Sequence, residues 1–125
     1  MLSDQEIDAA KKRLPRSPDT LHEHNDCIRL AYQWLDAQKT VASAPKTYLP
    51  LKHMIEHWAG RYVSQSDVEV AALLHPRIEG KYPNYNLSRR LTRPSDRRLS
   101  GIGEALKHEQ YRERLDEDGY KLTEE

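Results

Sequence analysis

The chain has 125 residues, 37% apolar and 32% charged, with twenty basic residues balancing twenty acidic ones and no Phe. That length fits one domain, residues 1–125, with a modest core. The absence of a long apolar run or an N-terminal h-region argues against a membrane span or a signal peptide, and the single Cys27 excludes an internal disulfide, so a soluble cytoplasmic protein is expected.

In chain order, Ser3 and Glu6 have capping-box spacing, which predicts a short helix from about Asp4 to Arg13, ending before Pro15. Thr20 and Glu23 repeat that spacing and predict the start of a second helix. Its apolar face is Cys27, Ile28, Ala31, Trp34, Leu35 and Gln38, recurring at three and four residues. Residues 39–46 read as a small-residue linker. A third helix is predicted from Thr47 or Pro50 to Tyr62, with Leu51, Met54, Ile55, Trp58 and Tyr62 as its stripe and Gly60 weakening its last turn. Ser64 with Asp67, flanked by Val63 and Val68 at staple positions, predicts a fourth helix over about Gln65 to Leu74.

Beyond Pro76 an irregular stretch is expected. Residues 87–92 fit a short helix or an alternating strand equally, with Leu87 and Leu91 on one side either way. Ser95 caps a turn in SDRRLS, and a last helix is expected from about Ile102 to Leu115, stopping at Gly119. The expected fold is therefore mainly α, a compact bundle of four to five short helices with a helix-turn-helix-like unit. At most a small hairpin, or wing, is expected around 87–100. Residues 1–19 and 117–125, polar and charge-rich, are expected to be loosely held ends.

Charge is strongly segregated. Residues 77–98 hold seven Lys/Arg against Glu79 and Asp96, a net of +5, whereas residues 104–125 hold four against eight Asp/Glu, a net of −4. Arg89, Arg90, Arg93, Arg97 and Arg98 fall within ten residues. Guanidinium groups that close repel unless an anion faces them. The two candidate anions are nucleic-acid phosphate and the acidic C-terminal segment itself. Zero net charge argues against a general DNA-binding domain, which commonly has a pI above about 9, whereas local potential argues for one.

VSQSDVEVAALLHP has the character of a supporting helix, and NYNLSRRLTR that of a recognition element with TRPSDRRL as a wing or phosphate clamp. Over roughly residues 47–100 this loosely resembles the winged-helix pattern, although about ten residues separate the two helices where three or four are usual. The resemblance implies duplex DNA, favoured over RNA, with Arg89, Arg90, Arg93, Arg97 and Arg98 on phosphates. Asn84, Asn86 and Arg90 would face base edges, since Asn and Arg suit adenine and guanine. A homodimer is a further possibility, because such regulators commonly pair. Tyr82 and Tyr85 beside Arg89 and Arg90 also fit the stacking of single-stranded bases.

The alternative function is an adaptor module whose basic segment meets an acidic partner protein. A more remote one is a zinc enzyme, because His53, Glu56 and His57 match H-x-x-E-H. His22, His24 and Cys27 lack a common face, and Cys27 belongs to the apolar side of its helix. Nothing in the sequence calls for a cofactor, and no glycine-rich phosphate loop or nucleophile elbow is present.

Overall fold

The computed structural model describes residues 1–18, 20–43 and 49–125. Among them are four α-helices, two 3₁₀ segments and two sheets of two short strands each, so the fold is mainly α. No helix among the described residues is long and apolar enough to cross a membrane.

Helix α1, Asp4–Arg13, begins with the expected reciprocal box. Ser3 Oγ accepts from Glu6 N, and Glu6 Oε1 accepts from Ser3 N, both at 3.1 Å. It buries Ile7 and Ala10.

Helix α2, Asn25–Asp36, starts later than the Thr20–Glu23 spacing predicts. The backbone of residues 21–23 is bound elsewhere. Leu21 N donates to Ser66 Oγ, Glu23 N donates to Asp67 Oδ2, and Leu21 O accepts from Ser64 Oγ. Thr20 Oγ1 instead closes a turn by accepting from Ser17 N. The cap falls to His24, whose Nδ1 accepts from Asp26 N at 2.9 Å. The predicted apolar face is buried throughout, and Leu30 joins it.

Helix α3, Leu51–Ala59, takes Pro50 as its N-cap and stops at Gly60 rather than Tyr62. Thr47, the alternative start, lies outside the described residues. Gly60 adopts the left-handed conformation (φ 61°) that ends helices and that a side chain disfavours. The orphan carbonyls of Ala59 and Gly60 accept from Leu106 N and His108 N at 2.8 and 2.7 Å.

Those two bonds account for the missing last helix. Residues 103–108 form turns, Leu106 is held at φ 64°, and only Glu109–Glu117 becomes helical, as a 3₁₀ segment packed on α3. Local propensity for an α-helix over Ile102 to Leu115 is overridden where the N–H groups of Leu106 and His108 serve the end of α3.

Helix α4, Gln65–Leu74, has the predicted bounds, with Ser64 Oγ accepting from Asp67 N and with Val63 and Val68 both buried. It packs on α2 and α1. Residues 87–92 form neither predicted alternative along their length. Leu87 makes a single antiparallel bridge to Thr40, and only Thr92–Arg93 becomes a strand. The small hairpin lies earlier than expected, pairing β1, Gly80–Lys81, with β2, Asn84–Tyr85, across a cis Tyr82–Pro83 bond. Strand β3, Thr92–Arg93, pairs in parallel with β4, Leu122–Thr123. The turn at SDRRLS is a 3₁₀ segment, Asp96–Leu99, whose Ser95 Oγ accepts from Arg97 N.

One apolar cluster joins these elements, with Trp34, Trp58, Leu30, Leu35, Ile55 and Leu87 fully buried. Two hydrogen bonds reach residues near the ends. Arg29 Nε donates to Leu2 O, and Trp34 Nε1 donates to Tyr120 Oη.

Ser64 both caps α4 and holds the 20–23 segment. Ser64→Ala should therefore lower the unfolding free energy by about 1–2 kcal/mol, measured by urea denaturation, with the helical circular-dichroism spectrum retained.

Candidate nucleic-acid interface

The five clustered arginines separate into two groups. Arg98 is held from two sides, by α2 and by the C-terminal segment. Its Nε and Nη2 donate to the two carboxylate oxygens of Glu124 at 2.6 Å each, and its Nη1 donates to Asp36 Oδ2 and Gln33 Oε1 at 2.9 Å each. Its side chain is 20% exposed. The bonds to Glu124 and then Asp36 push its pKa further up against burial, and the same guanidinium holds Glu124 below the usual carboxylate range. Burial works to raise Asp36, but hydrogen bonds from His75 and Arg98 outweigh it and leave the group lowered.

Arg97 donates to Ser95 Oγ and to the backbone carbonyl of Glu125, and Arg93 Nη1 lies 3.4 Å from Asp116 Oδ1. The acidic C-terminal segment thus folds back on the arginines, as β4 on β3 with Glu124 and Asp116 as counter-charges. Of the two anions that the sequence offered, the internal one meets Arg93 and Arg98.

Asn86 is 6% exposed and its amide is consumed by the chain. Oδ1 accepts from Glu79 N at 2.8 Å, while Nδ2 donates to the carbonyls of Arg77 at 3.0 Å and Val41 at 3.5 Å. It pegs the 77–86 loop to residue 41 and leaves no free edge for a base. Asn84 is exposed on the hairpin, opposite Lys81. Residues 84–93 contain no α-helix, so the expected recognition helix after α4 is replaced by the hairpin and extended chain. Tyr85 is 4% exposed and meets Tyr82 edge-on at 6.4 Å, so its ring packs against protein rather than offering a face to a base. Burial drives its phenol pKa up.

Arg89 and Arg90 remain exposed. Two lysines that no sequence motif singles out are brought beside them by backbone bonds. Ser88 N donates to Lys39 O at 2.8 Å, and Lys121 N donates to Leu91 O at 3.0 Å. All four side chains belong to exposed residues, and none has a carboxylate at ion-pairing distance among the described residues. Lys39, Arg89, Arg90 and Lys121 thus belong to adjoining stretches of backbone, a basic corner with no ion pair among the described residues. Its members come from three distant stretches, so no local spacing announces it.

The histidines of the zinc-like pattern engage different partners. His57 Nδ1 lies 2.8 Å from Asp118, while His53, with a side chain 63% exposed, lies 3.3 Å from Glu56. Glu56 is buried and accepts from Val63 N and Lys52. His22 meets Asp67 at 3.1 Å, and His24 serves as a cap. Cys27 is in the core, where burial, opposed by Arg61, pushes its thiol up to about 12, so it carries no thiolate at neutral pH. Among the described residues no group of three or more His, Cys, Asp or Glu side chains is placed to share a metal ion.

No protein family, curated protein or solved structure matches this chain.

Removing Arg98 leaves Glu124 without its counter-charge and takes one of three partners from Asp36. Arg98→Ala should cost about 2–3 kcal/mol in urea unfolding, below the range for fully buried pairs because the site is partly solvated, whereas Arg89→Ala should stay within about 0.5 kcal/mol. The pH dependence has a definite sign. Glu124 and Asp36 titrate lower in the folded than in the unfolded chain, so their contribution is present in full above about pH 5. It is lost as pH falls through the folded-state values. The stability gap between the parent chain and Arg98→Ala should narrow steadily on acidification. Asp118, which burial raises, has the opposite sign and cancels in this comparison.

Proposed function

We propose that this protein binds nucleic acid, duplex DNA in particular, by gripping backbone phosphates at the corner made by Lys39, Arg89, Arg90 and Lys121. The observation that supports the reading is that backbone bonds bring together stretches carrying four exposed cations with no carboxylate at ion-pairing distance among the described residues, in a chain that pairs Arg93 and Arg98 internally. A folded protein gains nothing from such a grouping unless an anion meets it.

Phosphate contact positions a protein without reading sequence. The lack of a helix over residues 84–93 and the engaged amide of Asn86 favour a sequence-tolerant grip over base-edge readout. Asn84 and Arg90 remain as exposed candidates for a secondary base contact. Arg93 and Arg97 lie toward the tail and would join only if Asp116 and the last residues let go. We place this activity in the cytoplasm, with the lone buried thiol of Cys27 as support. The second reading, an acidic partner protein at the same corner, is favoured by the zero net charge of the whole chain, which gives little long-range pull on DNA.

Fluorescence anisotropy of a labelled random-sequence duplex, titrated at several salt concentrations, separates the two. The nucleic-acid reading predicts that affinity falls with a log–log slope of about −3 to −4, since each phosphate contact contributes roughly −0.9. It also predicts loss of binding when Lys39, Arg89, Arg90 and Lys121 are together replaced by Gln. Absence of binding at low salt, or binding unchanged in that variant, would overturn it.

A further inference from the structure

An anion cradle beside the basic corner is filled by the chain's own C-terminal segment. Arg98 Nε and Ser95 N both donate to Glu124 Oε1, at 2.6 and 2.8 Å, and Arg98 Nη2 donates to Glu124 Oε2 at 2.6 Å. Arg97, the preceding residue, reaches the backbone carbonyl of Glu125. A guanidinium edge takes the paired oxygens of a carboxylate or of a phosphate alike. Glu124 therefore stands where a phosphate group would fit. The cradle adjoins the corner, because Arg89 and Arg90 run directly into Leu91, Thr92 and Arg93, the stretch to which residues 121–124 are bonded.

The strap that delivers Glu124 has few other attachments. Asp118 is held by His57 and Tyr120 by Trp34, and Tyr120 is the last residue packed on the apolar core among the described ones. Past it, Leu122 is half-buried, and Thr123 and Glu125 are exposed. Leu122 N donates to Leu91 O at 3.1 Å and Glu124 N to Arg93 O at 2.9 Å, in a sheet of two residues per strand. A strand pair that short has little stability of its own. The carboxylate on Arg98 is what chiefly seats the strap, and another anion can replace that contact in kind. Arg98 Nη1 is bonded separately to Asp36 and Gln33, so the side chain stays anchored while its Nε and Nη2 edge changes partner.

We propose that residues 122–125 are an autoinhibitory strap, with Glu124 as an internal competitor for the phosphate site on Arg98. This deepens the nucleic-acid reading and rests on it. Duplex backbone meets Lys39, Arg89, Arg90 and Lys121 first. A neighbouring phosphate then displaces Glu124 from Arg98, and release of the last residues frees Arg97. The contact surface grows while the core beneath it keeps its shape.

Duplex anisotropy of Glu124→Ala against the parent chain, at several salt concentrations, tests the strap. Without the internal carboxylate, affinity should rise at least about fivefold, the lower end of ordinary coupling between sites. The log–log slope should steepen by about 1–2, for one or two further phosphates at roughly −0.9 each. Glu113→Ala, which removes the same charge from an exposed carboxylate with no hydrogen bond or ion pair among the described residues, should change neither. In the unmodified chain, bound duplex should speed hydrogen exchange at the amides of Leu122 and Glu124, a readout that depends on no variant folding. The proposal is overturned if Glu124→Ala matches the parent in affinity and slope, if Glu113→Ala gives the same gain, or if bound duplex leaves both amides as protected as before. Failure of the corner alone looks different. Replacing Lys39, Arg89, Arg90 and Lys121 by Gln would then leave binding unchanged while Glu124→Ala still tightened it, which would uphold the strap and discard the corner.

Discussion

Asp36 is the last residue of α2, at the end of the helix where the backbone dipole is negative, and that last turn contains no basic residue of its own. A carboxylate there is unfavourable unless cations arrive from elsewhere. Three other groups converge on it. His75 Nε2, from the cap of α4, lies 2.8 Å away, Arg77 Nη2 3.2 Å and Arg98 Nη1 2.9 Å. Arg98 then clasps Glu124 through both of its oxygens. One carboxylate so fixes the exit of α4, the 3₁₀ segment after Ser95 and the C-terminal strand. The second half of the chain depends on it more than on any sheet, since neither sheet exceeds two residues per strand.

That constraint also shapes the proposed interface. An arginine-rich stretch would offer five guanidinium groups if it were extended and bare. Folded, it offers Arg89 and Arg90 freely, while Arg98 acts as a structural cation and Arg93 and Arg97 are engaged by the tail. The loss is partly compensated by Lys39 and Lys121, which tertiary hydrogen bonds carry to the same corner. Elsewhere opposite charges answer each other within the chain, as in Arg29 with Asp4, Arg61 with Glu104 and Arg112 with Asp96.

Where local chemistry decides, the sequence was readable. Ser3 with Glu6 and Ser64 with Asp67 place the starts of α1 and α4, because a side-chain cap needs only its own turn. The apolar faces of α2 and α3 follow from their period, and both tryptophans are core. Where distant groups compete, it was not. Thr20 and Glu23 have the spacing of a box, yet the adjoining backbone is committed to Ser64, Ser66 and Asp67. Residues 102–115 have helical propensity, yet the N–H groups of Leu106 and His108 close the end of α3. Asn86 has the chemistry of a base reader, and only the loop around it shows that its amide is already satisfied. The basic corner depends on chain crossings that no single window of sequence contains.

The division of the arginines decides which cations are free to meet a partner, and exchange of the guanidinium Hε protons with solvent, followed by ¹⁵N NMR at neutral pH, reads it directly. The Hε of Arg98, donated to Glu124, should exchange slowly and give a sharp, shifted signal, while those of Arg89 and Arg90 should exchange fast with water. Arg98 exchanging as fast as Arg89 would mean that the tail does not hold it. The basic segment would then be available as a whole, and the separation of a structural arginine from a free corner would be contradicted.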